Sequence, residues 1–339
     1  MTASTLTPQT PAVEAATPAA PRPYFVRATH GRGKVFTEPV DVVDAITQSG
    51  LDYVVTLTDD DVIAPMTVPG GTVHVPMTGF KGVVRVNPDG GRSALGVVKS
   101  AYRICQNVDA FDFAQSLLDD FEANVVAAAA DGNPLGARAY LALRLPQTLM
   151  AGGQDPHDVY VIVTNSHDGS SALTARVSAI RRVNGVEVVG TFVGAPMAYT
   201  IRHSGDVGAK MREAIETMET VNAWVQTYER ATYALLGERM TEVEFDQFAK
   251  KVLPTPSGSS ERAAQQWADR RLTLRRLFTD MPAQAFGRGT RYAAFMAFCE
   301  YVDRHAPTRG GDPDTVRIDR LLSGRATRAK EAAWKALTA

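Results

Sequence analysis

The sequence predicts an α+β protein: an antiparallel, β-rich N-terminal and central part with a few helices, followed by an α-helical C-terminal part. Three observations carry this. Between about residues 51 and 201, short β-branched apolar runs alternate with clusters of turn formers, the spacing of antiparallel strands joined by tight turns. Beyond residue 204, apolar residues recur at three- and four-residue intervals between capping signals. Residues 1–23 are mostly Thr, Pro and Ala, with one Glu and one Arg as their only charged residues, and five prolines among so few large apolar groups cannot offset the entropy of ordering. The chain therefore divides into a disordered tail over 1–23, an α+β domain with an antiparallel sheet over 24–203, and a helical region over 204–339 packed on that sheet.

Tyr24-Phe25-Val26 suits a short strand, and Thr29-His30-Gly31-Arg32-Gly33-Lys34 a loop too short for a Walker motif. Residues 39–49 fit a helix, with Pro39 in its first turn, Val42, Val43 and Ile46 on one face and Gly50 beyond its end. Leu51–Leu57 reads as a strand and Asp59-Asp60-Asp61 as a solvated turn, since a magnesium site would need further converging oxygens. Val73–Val75 and Val83–Val86 read as two short strands, Asn87–Gly91 as a turn, and Leu95–Val98 as a strand. A helix is expected from about Asp109 to Phe121, with Leu117, Leu118 and Phe121 in the core.

Val125–Ala130 and Ala137–Leu145 form a strand pair around Asp131–Gly136. Tyr160–Thr164 enters the densest turn of the chain, Asn165-Ser166-His167-Asp168-Gly169-Ser170-Ser171, and Leu173–Val183 leaves it with Leu173, Ala175, Val177 and Ala179 on one face. Val186–Phe192 adds a strand. A long helix is expected over about 207–236, and Thr241-Glu242-Val243-Glu244 is a capping box opening the next. Helices over 260–279, 292–305, 316–322 and 327–337 follow.

Several of these blocks resemble a phage- and plasmid-borne family, the domain of unknown function 932. The blocks are the apolar strand ending in Asn165-Ser166-His167-Asp168-Gly169-Ser170, and Leu95-Gly96-Val97-Val98 followed by Tyr102, Gln106-Asn107 and a helix carrying Phe111 and Phe113. Leu51-Asp52-Tyr53, Ile201-Arg202-His203 and Gly289-Thr290 running into Tyr292-Ala293-Ala294 also match. The family's Arg-Val-Val-Cys-x-Asn block is replaced here by Ile180–Gly185, so no role attached to that Cys carries over. The resemblance spans about 35–339. It implies an architecture, a cytoplasmic setting in a bacterial or phage-infected cell, and no particular reaction or cofactor.

Formal net charge is −1, which gives no global argument for nucleic acid or membrane. No apolar run approaches the ~20 residues that span a bilayer. The two cysteines, Cys105 and Cys299, are too few for a disulfide framework or a zinc site and read as buried thiols. Charge is uneven, however: residues 262–339 carry 15 Lys/Arg against 8 Asp/Glu. Within this segment Arg270, Arg271, Arg275 and Arg276 lie in two helical turns and form a candidate contact for DNA or RNA phosphates; the alternative is an ordinary solvated helix face paired with Glu213, Glu216 and Glu219. His167 and Asp168, with Arg202 and His203 as neighbours, form a candidate general acid/base pair; the alternative is a purely structural Asp-Gly turn. Two functional classes result: a nucleic-acid-associated accessory factor of mobile-element metabolism, and an enzyme centred on Asn165–Asp168. A host-interaction protein with neither property is a third.

Overall fold

The computed structural model describes residues 33–131, 136–183, 186–190, 198–201 and 221–339. The expected tail over 1–23, the 24–26 strand, most of the 29–34 loop, Arg202, His203 and the first half of the long helix lie outside these residues.

Two antiparallel sheets form the N-terminal and central part. The larger has the order β1 (Lys34–Val35), β5 (Asn124–Asp131), β6 (Arg138–Ala151), β7 (Asp155–Ser166), β8 (Leu173–Val183) and β10 (Ala198–Ile201), with β9 (Val186–Gly190) on the other half of the β8 edge. The smaller is β2 (Val54–Val68), β3 (Gly71–Val86) and β4 (Arg92–Lys99). Two helices accompany them: α1 (Val42–Gln48), capped by Asp41, and α2 (Asn107–Phe121). The C-terminal part holds α3 (Val221–Gly237), α4 (Glu242–Val252), α5 (Glu261–Thr279), α6 (Arg291–Glu300) continued by a π-turn over Tyr301–His305, α7 (Pro313–Leu322) and α8 (Arg325–Thr338). The α+β class is as the pattern implies.

Local chemistry explains the boundaries. Thr241 and Glu244 close the expected capping box at α4. Ser260, Thr290 and Asp312 each accept a backbone N–H in the first turn of α5, α6 and α7. The alternation along β8 holds: Leu173, Ala175, Val177 and Ala179 enter the main core, together with Val159, Val161 and Val163 of the facing strand. That core runs on without a break into Tyr228, Phe245, Phe278, Phe295 and Trp334 of the helices. The opposite face of the large sheet buries a smaller cluster of Tyr140, Tyr160, Ile162 and Ile180 under Ile318 of α7.

Three expectations are corrected. Val43 is 66% exposed, and α1 buries Val42, Ala45 and Ile46 instead. Asp59-Asp60-Asp61 is no turn but lies within β2, where the ladder to β3 shifts register on both sides of Asp61. The irregularity leaves room for a run of carboxylates that a regular ladder would crowd, and Lys81 of β3 pairs with Asp61. The two short strands expected at Val73–Val75 and Val83–Val86 are one, β3: Pro76 pairs with Ile63, and Gly79 falls in the register shift beside Asp61, where the strand continues. The hairpin of β2 and β3 therefore runs well past the body as an arm. Leu118 packs on the core as expected; the side chains of Leu117 and Phe121 are outside the described residues. Both cysteines are buried, and no disulfide joins them.

Candidate functional site

The turn after β7 is a buried polar hub. Asn165 and Ser166 end the strand, and the turn proper begins at His167, which is fully buried. His167 Nε2 lies 2.9 Å from Asn107 Oδ1 at the start of α2. Asn165 Nδ2 donates to Asn107 Oδ1 (3.1 Å) and to the Cys105 carbonyl (3.0 Å), while Asn107 Nδ2 donates to the Leu51 carbonyl (3.0 Å). The His167 backbone N–H donates to Ala137 O, the imidazole packs edge-on against Tyr53, and the Arg85 guanidinium lies 4.1 Å from the centre of that Tyr53 ring. Gln106 clamps β2 by bonding both the N–H and the carbonyl of Val55. The Gln106-Asn107 pair thus joins the large sheet, the small sheet and α2.

Asp168 faces away from this hub. Its Oδ1 accepts from Ser166 Oγ (2.7 Å) and from the Ser170 backbone N–H (2.8 Å). Burial pushes its carboxyl up, but the hydrogen bonds from Ser170 and Ser166 and the charge of Arg138 outweigh it and hold the group below its ordinary value. Gly169 sits at φ +73°, the left-handed conformation that an Asp-Gly turn requires. His167 and Asp168 are adjacent in sequence, yet one is enclosed and the other is tied to its own turn; no hydrogen bond joins their side chains among the described residues.

A second buried polar row crosses from sheet to helices. Tyr292 Oη donates to Asp155 Oδ2, and the same carboxylate forms an ion pair with the Arg181 guanidinium, whose Nε lies 2.6 Å away. Arg181 Nη1 donates to Gln284 Oε1 (3.0 Å), and Gln284 Nε2 to Glu300 Oε2 (2.9 Å). Asp155, Arg181, Gln284, Tyr292 and Glu300 are all at most 3% exposed. Strand alternation was the available signal, since Arg181 continues the odd-numbered apolar face of β8.

The four arginines of α5 separate in the structure. Arg271 donates to the Leu253 carbonyl and Thr255 Oγ1, both 3.0 Å away, and closes the α4–α5 loop. Arg275 is bracketed by Glu242 and Asp246 of α4. Glu213, Glu216 and Glu219, the acids expected to pair with this face, lie outside the described residues. Arg276 is exposed, with no side-chain partner among the described residues. Arg270 stacks on Trp267, its guanidinium carbon 4.2 Å from the ring centre. Trp267 and Arg270 line an open cleft of about 380 Å³ with Ala263, Gln266, Pro307 and Arg309. Arg309 is exposed and makes no side-chain ion pair or hydrogen bond among the described residues. The sequence pattern does not single out Arg309. Only the fold brings the loop after the π-turn against α5.

No helix among the described residues is long and apolar enough to cross a membrane, and none of their His, Cys, Asp and Glu groups form a metal-holding cluster.

A family model described as Domain of unknown function (DUF932) matches residues 94–323, which include the His167 turn and the Trp267 cleft. No curated protein and no solved structure matches the chain.

Proposed function

Since the chain belongs to the DUF932 family, whose description names no activity, we propose a function from its own surface: a nucleic-acid-associated accessory protein of phage or plasmid metabolism that holds single-stranded DNA or RNA at the Trp267 cleft. The observation that carries this is the cleft itself, where an aromatic ring, a guanidinium stacked on it and a second guanidinium with no side-chain partner among the described residues meet in one open cavity. An unstacked base has a π-face that suits either the indole or the planar guanidinium of Arg270. Such stacking is worth about 1–3 kcal/mol per base and tolerates any sequence. Arg309, on the cleft wall, would meet a phosphate. Arg276 lies on the side of α5 away from Trp267 and outside the cleft, and Arg271 and Arg275 are engaged within the protein.

The test is fluorescence anisotropy of labelled single-stranded DNA, single-stranded RNA and duplex DNA at salt between ~50 and ~200 mM. Single strands should bind in the micromolar range, with log affinity falling by about 0.7 per neutralised phosphate for each unit of log salt. Trp267→Ala and Arg309→Gln should each weaken binding, and Arg309→Gln should also flatten the salt slope. Arg275→Gln should change neither, because its charge is already met by Glu242 and Asp246. Absence of binding to every probe at tens of micromolar protein, or equal binding by Trp267→Ala and the parent, removes the reading. The His167 turn supports no comparable proposal, because its imidazole is enclosed by Asn107, Asn165 and Tyr53.

A further inference from the structure

The outer half of the β2–β3 hairpin, residues 62–78, contains no Asp, Glu, Lys or Arg. It extends past the end of β4, whose last pairing to β3 is Lys99 with Phe80. Its base is closed by the Gly79 N–H, which donates to Asp61 Oδ2 at 3.2 Å. Every residue of Gly71–Thr78 is exposed. The register sets opposite residues on a common face, Ala64 with Val75 and Met66 with Val73, and alternation adds Met77. This one face carries Met66 at 53%, Val73 at 43%, Val75 at 42% and Met77 at 38% exposure. The other face carries Ile63, Pro65, Thr67, Thr72, His74 and Pro76.

We propose that this uncharged arm is a self-association element, through which two copies of the chain pair face to face on Met66, Val73, Val75 and Met77. Three physical arguments select a second copy over another partner and the face over the edge. Proline is tolerated in a ladder only where its nitrogen points away from the paired strand. Pro65 in β2 and Pro76 in β3 therefore each remove a donor from the arm's two outer edges, which blunts open-ended strand addition. A two-fold contact sets a patch against itself, so any charge in it would meet its like; this arm has none. The area agrees with a reversible contact. Strands of about eight residues give a face roughly 27 Å long and 10 Å wide, so two copies bury about 540 Å² in all, below the ~1,000 Å² of a stable interface, and the pairing is weak and seen only at high concentration. The small Ala64–Val75 pair lies midway along the face, where the two-fold axis would pass, and the longer methionines lie toward its two ends. The inference does not depend on the nucleic-acid reading, and the arm precedes the residues of the family match.

Sedimentation velocity of the full-length protein between ~10 and ~500 µM tests it. The weight-average mass should rise toward that of a dimer. Met66→Glu with Val75→Glu should stay monomeric over the same range, with an unchanged circular dichroism spectrum, since the arm contributes nothing to the buried core. In parallel, Ala64→Cys should be trapped as a dimer by a bis-maleimide of about 10 Å reach, and Thr67→Cys on the opposite face should not. Cys105 and Cys299 are buried and provide a silent background. A parent protein that stays monomeric at ~500 µM, a doubly substituted protein that still dimerises, or equal trapping at positions 64 and 67 overturns the proposal.

Discussion

Asn107 Oδ1 lies 2.9 Å from His167 Nε2, and the two residues, sixty positions apart, are both at most 1% exposed. The same carboxamide also bonds Asn165 and the Leu51 carbonyl, so it serves three segments at once. Truncation to Ala would leave several buried polar groups without partners, each costing about 1–3 kcal/mol. Asn107→Ala should lose at least ~2 kcal/mol in urea unfolding. A midpoint equal to that of the parent would mean that the hub is not a source of stability.

Gly169 sits at φ +73°, and an added Cβ would approach Val98 Cγ1 to 3.0 Å. Gly169→Val should therefore destabilise the protein by roughly 1–2 kcal/mol or more, from backbone strain together with displacement of β4. An unchanged denaturation midpoint would exclude the tight turn.

Burial, reinforced by the Asp109 carboxylate, pushes the Cys105 thiol up to about 11. At pH 8 the thiolate fraction is small and the sulfur is enclosed, so a thiol reagent should label Cys105 only on unfolding. Rapid labelling of the native protein at this position, read by peptide mass analysis, would contradict its placement beside α2.

The Asp168 carboxyl is held below its ordinary value, so the unfolded chain takes up this proton before the folded one does. Its contribution to stability is present above the ordinary carboxylate range and is lost as pH falls through the folded value. Asp168→Asn should thus lower the melting temperature at pH 6, and the gap to the parent should shrink toward pH ~3. A gap of equal size at both pH values would show that the turn does not depend on the charge.

The class of the fold and most of its elements were legible because the signals are local. The Thr241–Glu244 box, the Asp168-Gly169 turn and the alternation along β8 act over a few residues. What escaped was set by distant partners. Asp59-Asp60-Asp61 reads as a turn because three adjacent carboxylates suit solvent, and only the pairing with β3 reveals a bulged strand. Pro76 and Gly79 look like breaks for the same reason. At the candidate site, Trp267 and Arg270 were visible as neighbours on one helix, but Arg309 is nearly forty residues away and joins them only through the loop between the π-turn and α7. Whether an arginine is paired is equally non-local: Arg275 finds Glu242 and Asp246 on another helix, and Arg276, one residue along, does not.

The row from Tyr292 through Asp155, Arg181 and Gln284 to Glu300 has a consequence for how the molecule comes apart. Strand residues supply one half of it and helix residues the other. If either part peeled away, the Asp155–Arg181 pair would lose Tyr292 and Gln284, its ligands from the far side. Removing a member of a buried ionic cluster typically costs about 3–5 kcal/mol. Partial opening is thereby penalised relative to complete unfolding. Amide protons on the central strands and on α6 should accordingly exchange with a shared free energy, as a single cooperative unit, rather than the helical layer exchanging ahead of the sheet.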